Sequence, residues 1–198
     1  MRTRLLPLLF LAASCAEWRF VGAADHPALV PGAQLATFEK GRGADREHRV
    51  DIRVDGSDVS AHTIDSAMPY VRPIVSADAA IAYATLVREL GISDAGGRGL
   101  EVRPDPTLSG PGGAGRYSRS DADGWGIPFL PTARPYAEGY EVSHVVLVPP
   151  VPHPTIPHVA SPWRLLLLRE VVSRDGTLRP LDARTLSDGQ DAARYAAY

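Results

Sequence analysis

Proline is placed in this chain so that regular structure is confined to a few windows. Of its 198 residues 18 are proline, and they cluster: Pro69 and Pro73 flank Tyr70 and Val71, Pro104 and Pro106 close a short apolar run, and Pro149, Pro150, Pro152, Pro154 and Pro157 close another. A proline has no N–H for a helix or sheet ladder, and its ring clashes with the preceding helical turn. It also biases the residue before it toward extended geometry. Segments that carry several are therefore crossings or sheet edges, not helix interiors or central strands.

The windows between them carry readable periods. Residues 47–56 alternate, with Val50, Ile52 and Val54 on one face and Asp51, Arg53 and Asp55 on the other, which predicts a half-buried strand with one wet side. Residues 34–39, with Leu35, Thr37 and Phe38, predict a strand before it. The clearest helix is predicted over 77–90: Ser76 is its N-cap, Asp78 sits in the first turn where the dipole favours an anion, and Gly91 lies past the end. Ile81, Thr85 and Arg88 share one side of it, and Ala79, Tyr83, Leu86, Val87 and Leu90 form an apolar stripe. So short a helix is marginal alone in water and needs a sheet to lie on.

Further strands are predicted over 98–103, 139–149 and 163–173, the last two rich in Val and Leu. Asp175-Gly176 between two extended runs suits a type I′ hairpin turn, and Pro180 puts a bulge or an edge in the return strand over 177–186. Residues 187–198 predict a short terminal helix. From 104 to 138 the chain is dominated by Gly, Pro, Ser and Asp, which predicts a long surface loop. The expected fold is therefore α+β: an antiparallel sheet of about five or six strands, one principal helix over 77–90, and a long Gly/Pro-rich loop.

Met1-Arg2-Thr3-Arg4, the apolar run 5–13 and Ser14-Cys15 have the cationic and apolar parts of an export signal. The apolar core is far shorter than the ~20 residues of a spanning helix. Cys15 is the only cysteine. The stretch Leu11-Ala12-Ala13-Ser14-Cys15 resembles the lipobox of bacterial lipoproteins, in which small residues precede a cysteine that is diacylated on sulfur and becomes the mature N-terminus. The resemblance covers residues 1–15. Ala13 and Ser14 fit it, whereas Leu11 stands four residues before the cysteine and the commonest pattern has leucine three before. By that resemblance Ala16, where an Asp would retain the protein, implies the outer membrane of a cell with two membranes. The competing reading is an ordinary cleavage site at Ser14-Cys15-Ala16, releasing a soluble exported chain from Glu17. The expected organisation is a signal peptide over 1–14, a lipid-anchored tether over 15–32 and one globular domain over 33–198. Lipidation consumes the thiol, so neither a disulfide nor thiolate chemistry remains.

Charge narrows the partners. The formal net charge of −2 becomes more acidic once Arg2 and Arg4 leave with the signal, a balance that invites neither nucleic acid nor an anionic membrane face. Lys40 is the only lysine, and asparagine is absent, which excludes N-x-S/T glycosylation.

Motif by motif, chemistry is sparse. Gly110 to Gly115 spell G-x-G-x-x-G, but a dinucleotide fingerprint needs a strand before it and a helix after it, and neither flank qualifies. Asp121-Ala122-Asp123-Gly124 is similar to the middle of a calcium loop, yet that register makes Arg119 the first ligand and Leu130 the last, so an Asp/Gly turn is the better reading. His153 and His158 lack ligand spacing, His62 and Asp65 lie in an irregular stretch, and His144 reads as a satisfied core residue. No metal and no cofactor is expected. No G-x-S-x-G or S-x-x-K appears, and Glu141 and Glu170 read as solvent-facing strand residues.

The strongest candidate patch is aromatic: Tyr117, Trp125, Phe129, Tyr136 and Tyr140, with Arg134, lie on or beside the long loop. Such side chains supply large contact area at recognition sites. The same rings could instead staple the loop to the sheet as local core. The functional expectation is an exported, lipid-anchored envelope protein, a non-catalytic binding or structural module for an envelope protein, peptide or cell-wall ligand. The alternative is an exported hydrolase or metal-assisted enzyme with dispersed His, Asp and Glu.

Overall fold

The computed structural model describes residues 17–41, 47–92, 99–110, 112, 115–151 and 160–196. The first sheet is an antiparallel meander of β1 (Arg19–Asp25), β2 (Ala33–Lys40), β3 (Glu47–Val54) and β4 (Ser57–Val59). Two short turns follow, α1 (Ile64–Ala67) and a 3-10 turn over Met68–Tyr70, and then the long helix α2 (Ala77–Glu89). Next come β5 (Leu100–Glu101), β6 (Arg103–Pro104), β7 (Arg116–Tyr117), α3 (Arg119–Trp125), β8 (Thr132–Tyr136), β9 (Gly139–Val148), β10 (Arg164–Ser173), β11 (Leu178–Asp188) and α4 (Gly189–Ala193). Antiparallel strand dominates this α+β arrangement.

The expected single sheet is two: the meander, and a five-stranded sheet in the order β11-β10-β9-β5 with β8 also on β9. β6 and β7 form a separate parallel pair. One strand of the meander, β1, lies inside the segment expected to be a tether. Its sequence does not alternate, and a bulge between Phe20 and Gly22 breaks its register against β2, so no period marks it. Ala28 and Leu29, also in that segment, are buried.

Helix α2 forms where its caps put it. The Ser76 hydroxyl accepts from the Ala79 amide, and Gly91 takes a positive φ of 64° beyond Leu90. Tyr83, Leu86 and Val87 enter one core with Leu29 and Ile52 of the amino-terminal region and Val142 and Val172 of the larger sheet. Arg88, on the side it shares with Ile81 and Thr85, is buried as well.

β9 and β10 pair over ten residues without a break, from Arg164↔Val148 to Ser173↔Gly139. The other edge of β9 is shared: β8 covers its first half up to Ser143, and β5 its second half from Val146. His144 lies where the two meet. β11 is an edge strand, and its register shifts beside Pro180, the bulge and edge that a proline requires.

The type I′ hairpin is not at Asp175-Gly176. Positive φ at both residues, 50° and 81°, is found at Asp55 and Gly56 between β3 and β4. At the β10–β11 turn only Gly176 is left-handed, φ 88°; its amide donates to Ser173 O (3.0 Å), and the Ser173 amide donates to Thr177 O (2.9 Å). That is a type I turn closed by a glycine bulge. The turn is docked, since the Tyr83 hydroxyl donates to Gly176 O at 2.8 Å. A Cβ on Gly176 would stand 2.4 Å from Met68 Sδ and 2.9 Å from Tyr83 Oη. Gly176→Ala should therefore cost about 1–3 kcal/mol in thermal unfolding. Gly91→Ala is the control: its Cβ meets open space, and only the φ penalty of ~1 kcal/mol applies.

Residues 104–138, expected as a surface loop, hold much of a second core. Tyr117, Ala122 and Ile127 bury there with Val145, Leu147, Leu165 and, from the carboxyl end, Tyr195. Asp121-Ala122-Asp123-Gly124 lies within α3 and is neither a calcium loop nor a surface turn. Asp121 closes a capping box with Ser118 and accepts from the amides of Gly112 and Ser118 and from the hydroxyl of Tyr195.

Candidate functional site

One face of the larger sheet carries a built polar groove. The β8–β9 register sets Arg134 opposite Glu141 and Thr132 opposite Ser143, and the β9–β10 register sets Arg169 opposite Ser143. Alternation sends these side chains to the same face. They line a groove of about 390 Å³ with Ala133. Glu141, expected to face water, is buried at its floor between the two arginines. Arg134 donates to Glu141 Oε2 through Nη2 (2.8 Å) and Nε (3.2 Å), and Arg169 to Oε1 through Nη2 (2.7 Å) and Nε (2.9 Å). Hydrogen bonds from Arg134 and then Arg169 hold the Glu141 carboxyl below its ordinary range, so it is ionised at neutral pH. Each guanidinium is thereby fixed edge-on. Arg169 Nη1 lies 3.8 Å from Asp182, whereas Arg134, 68% exposed, has no second anion among the described residues. A preset, exposed guanidinium beside two hydroxyls is suited to a carboxylate-bearing ligand, because little rotamer entropy is lost on binding.

A second charged cluster lies wholly inside the protein. Arg88 Nη2 donates to Glu170 Oε2 at 2.7 Å, Glu170 Oε1 lies 3.0 Å from His144 Nε2, and His144 Nδ1 lies 2.7 Å from Glu101 Oε2. Glu170 is 0% and His144 2% exposed. Burial alone would lower the His144 pKa, but Glu101 and Glu170 outweigh it and raise the value to about 10. The ring is an imidazolium at neutral pH, with both nitrogens facing carboxylates. It has no lone pair to take a proton from a substrate.

His26 lines a different cleft with Asp25, Asp78, Thr85 and Arg103. Its pKa falls to about 4, through burial and then through Arg103. The Ala28 amide donates to Nδ1 (3.2 Å), and Nε2 lies 3.7 Å from Glu89, which also pairs with Arg103. The neutral ring has its one basic nitrogen occupied by backbone, so it fixes the 25–30 segment on α2 and leaves nothing free for acid–base work. Among the described residues no group of three His, Cys, Asp or Glu could hold a metal ion.

The structure divides the aromatic patch. Tyr117 meets Trp125 in a tilted contact and Phe129 edge-to-face, at centroid distances of 5.7 and 5.8 Å, Tyr195 joins Trp125, and the Tyr117 hydroxyl donates to Phe129 O. Arg134 and Tyr136 stand exposed on β8. Tyr140 packs against the α2 core, its hydroxyl donating to Val75 O. His153 and His158 lie outside the described residues.

Glu141 and Glu170, both expected to face water, are both buried. The signal that finds Glu170 is its neighbourhood: Leu165 to Leu168 are all leucine, a run that marks a strand covered on both faces, where a charge must be paired. Glu141 carries no such mark, because its partner arginines come from neighbouring strands. Comparison with protein-family models, with curated proteins and with solved structures finds no match.

Proposed function

We propose that this protein is an exported binding module, held outside the cytoplasm by a lipid on Cys15, that takes an acidic peptide or cell-wall component on the sheet face around Arg134 and Arg169. In a cell with two membranes its place is the outer one. The observation that carries the binding reading is the buried, ionised Glu141 that presets two arginines beside the Thr132 and Ser143 hydroxyls. The observation that supports the anchor is the single cysteine at the end of Leu11-Ala12-Ala13-Ser14. In this reading α2 is the one principal helix that backs the sheet, and strand β8 presents Arg134 and Tyr136.

Two measurements test it. Intact mass from a lipidating host should give a chain that begins at Cys15 with acyl mass and sediments with membranes, and Cys15→Ala should abolish the acyl mass and most of the sedimentation. A released chain beginning at Glu17 would overturn the anchor. Binding to purified cell-wall fragments with free carboxylates should weaken about 10–100-fold in Arg134→Ala and Arg169→Ala, the loss of one charge-assisted contact. Equal binding by folded variants would sink the site.

A further inference from the structure

We infer that the outer face of the β1–β4 sheet rests on the membrane that holds the lipid, with Trp18, Phe20 and Val21 forming an apolar contact beside the anchor. This rests on the lipidated Cys15 of the proposed function.

The inner face of that sheet is core: Ala33, Leu35, Val50, Ile52 and Val54 belong to the cluster shared with α2. The outer face has a roof made of its own side chains. Phe20 pairs across to Phe38, ring centroids 5.6 Å apart, and Phe38 pairs across to Arg49. The Arg49 guanidinium lies between Trp18 (5.1 Å) and Phe38 (4.9 Å), Lys40 lies 5.9 Å from Trp18, and Arg53 covers Phe20 at 4.5 Å. Ala36 and Asp51 are buried beneath this layer, although Asp51 was expected on the wet side of its strand. Phe20 remains 45% and Val21 51% exposed, the latter at the bulge.

Rings capped by cations are the composition of a membrane–water interface, where aromatic bodies reach the acyl boundary and guanidinium heads stay among the headgroups. Position selects the bilayer over other occupants. Trp18 follows Cys15 by three residues, a reach of at most about 11 Å even when fully extended. A surface tethered so closely meets the membrane at an effective concentration no free partner attains. The local acidic residues, Glu47, Asp51 and Asp58, balance Lys40, Arg49 and Arg53, so the contact is apolar and not an attraction to anionic lipid.

The test uses the full lipidated chain in zwitterionic vesicles carrying a quencher near the acyl boundary. Tryptophan emission should be quenched, and the quenching should fall in Trp18→Phe, which keeps a ring for Arg49; Trp125 and Trp163 are the internal reference. In the Cys15→Ala chain, Phe20→Ser with Val21→Ser should weaken vesicle partition about tenfold, with little response to salt. If the double variant fails to fold, the Trp18 comparison carries the test. Acyl mass on Cys15 without Trp18-dependent quenching overturns the contact and leaves the anchor standing. Absence of acyl mass overturns both. A dimer in detergent, paired along the β1 edge with Trp18 shielded from the quencher, also overturns it.

Discussion

Glu170→Ala should destabilise the protein by about 3–5 kcal/mol, read as a fall in the urea midpoint at unchanged slope. Glu170 is fully buried, 2.7 Å from Arg88 and 3.0 Å from His144. Removing it takes from Arg88 and His144, both buried, a carboxylate that each of them faces, and breaking a buried ion pair costs far more than losing a surface one. If charge is the cause, Arg88→Met combined with Glu170→Leu should recover much of the loss, because the replacements are apolar and of comparable volume. A small effect of the single variant, or a double variant no better than the single, would show that the cluster does not hold the helix to the sheet.

An alkaline loss of stability is the second large effect. The His144 pKa is raised from 6.5 to about 10 by Glu101 and Glu170 acting against burial. Between those two values the folded chain holds a proton that the unfolded chain has released, so stability must decline as pH rises. The contribution is fully present below about pH 6.5 and is gone once pH has passed about 10. Tyr195, raised to about 12, titrates later and leaves this window to His144. Thermal midpoints from pH 6.5 to 10 should slope downward in the wild type and flatten in His144→Gln. A flat wild-type profile would mean that the imidazole is neutral in the fold. His26 works in the other direction: its pKa of about 4 makes stability fall as pH drops from 6.5 toward 4.

Elements governed by neighbours in sequence were legible. The caps of α2, the strands at 34–39, 47–56, 139–149 and 163–173, and the bulge at Pro180 each follow from local rules. β1 was not, because a bulged strand has no period. The position of the type I′ turn was not either: two Asp-Gly pairs occur at hairpins, and the one at 175–176 must dock under Tyr83 and Met68.

For the site, Arg134 and Tyr136 were named from composition, whereas Arg169, Glu141 and their shared groove were not. An arginine on β8 and another on β10 meet one carboxylate on β9 only after both ladders are in register. The sequence by itself determined the lone Cys15, the helix α2 and which segments could be strands, since each depends on residue type and spacing along one stretch of chain. Tertiary structure alone decided which charges are buried, which rings became core and which remained exposed. Burial and pairing belong to residues far apart in the chain, and alternation names a face without saying what covers it.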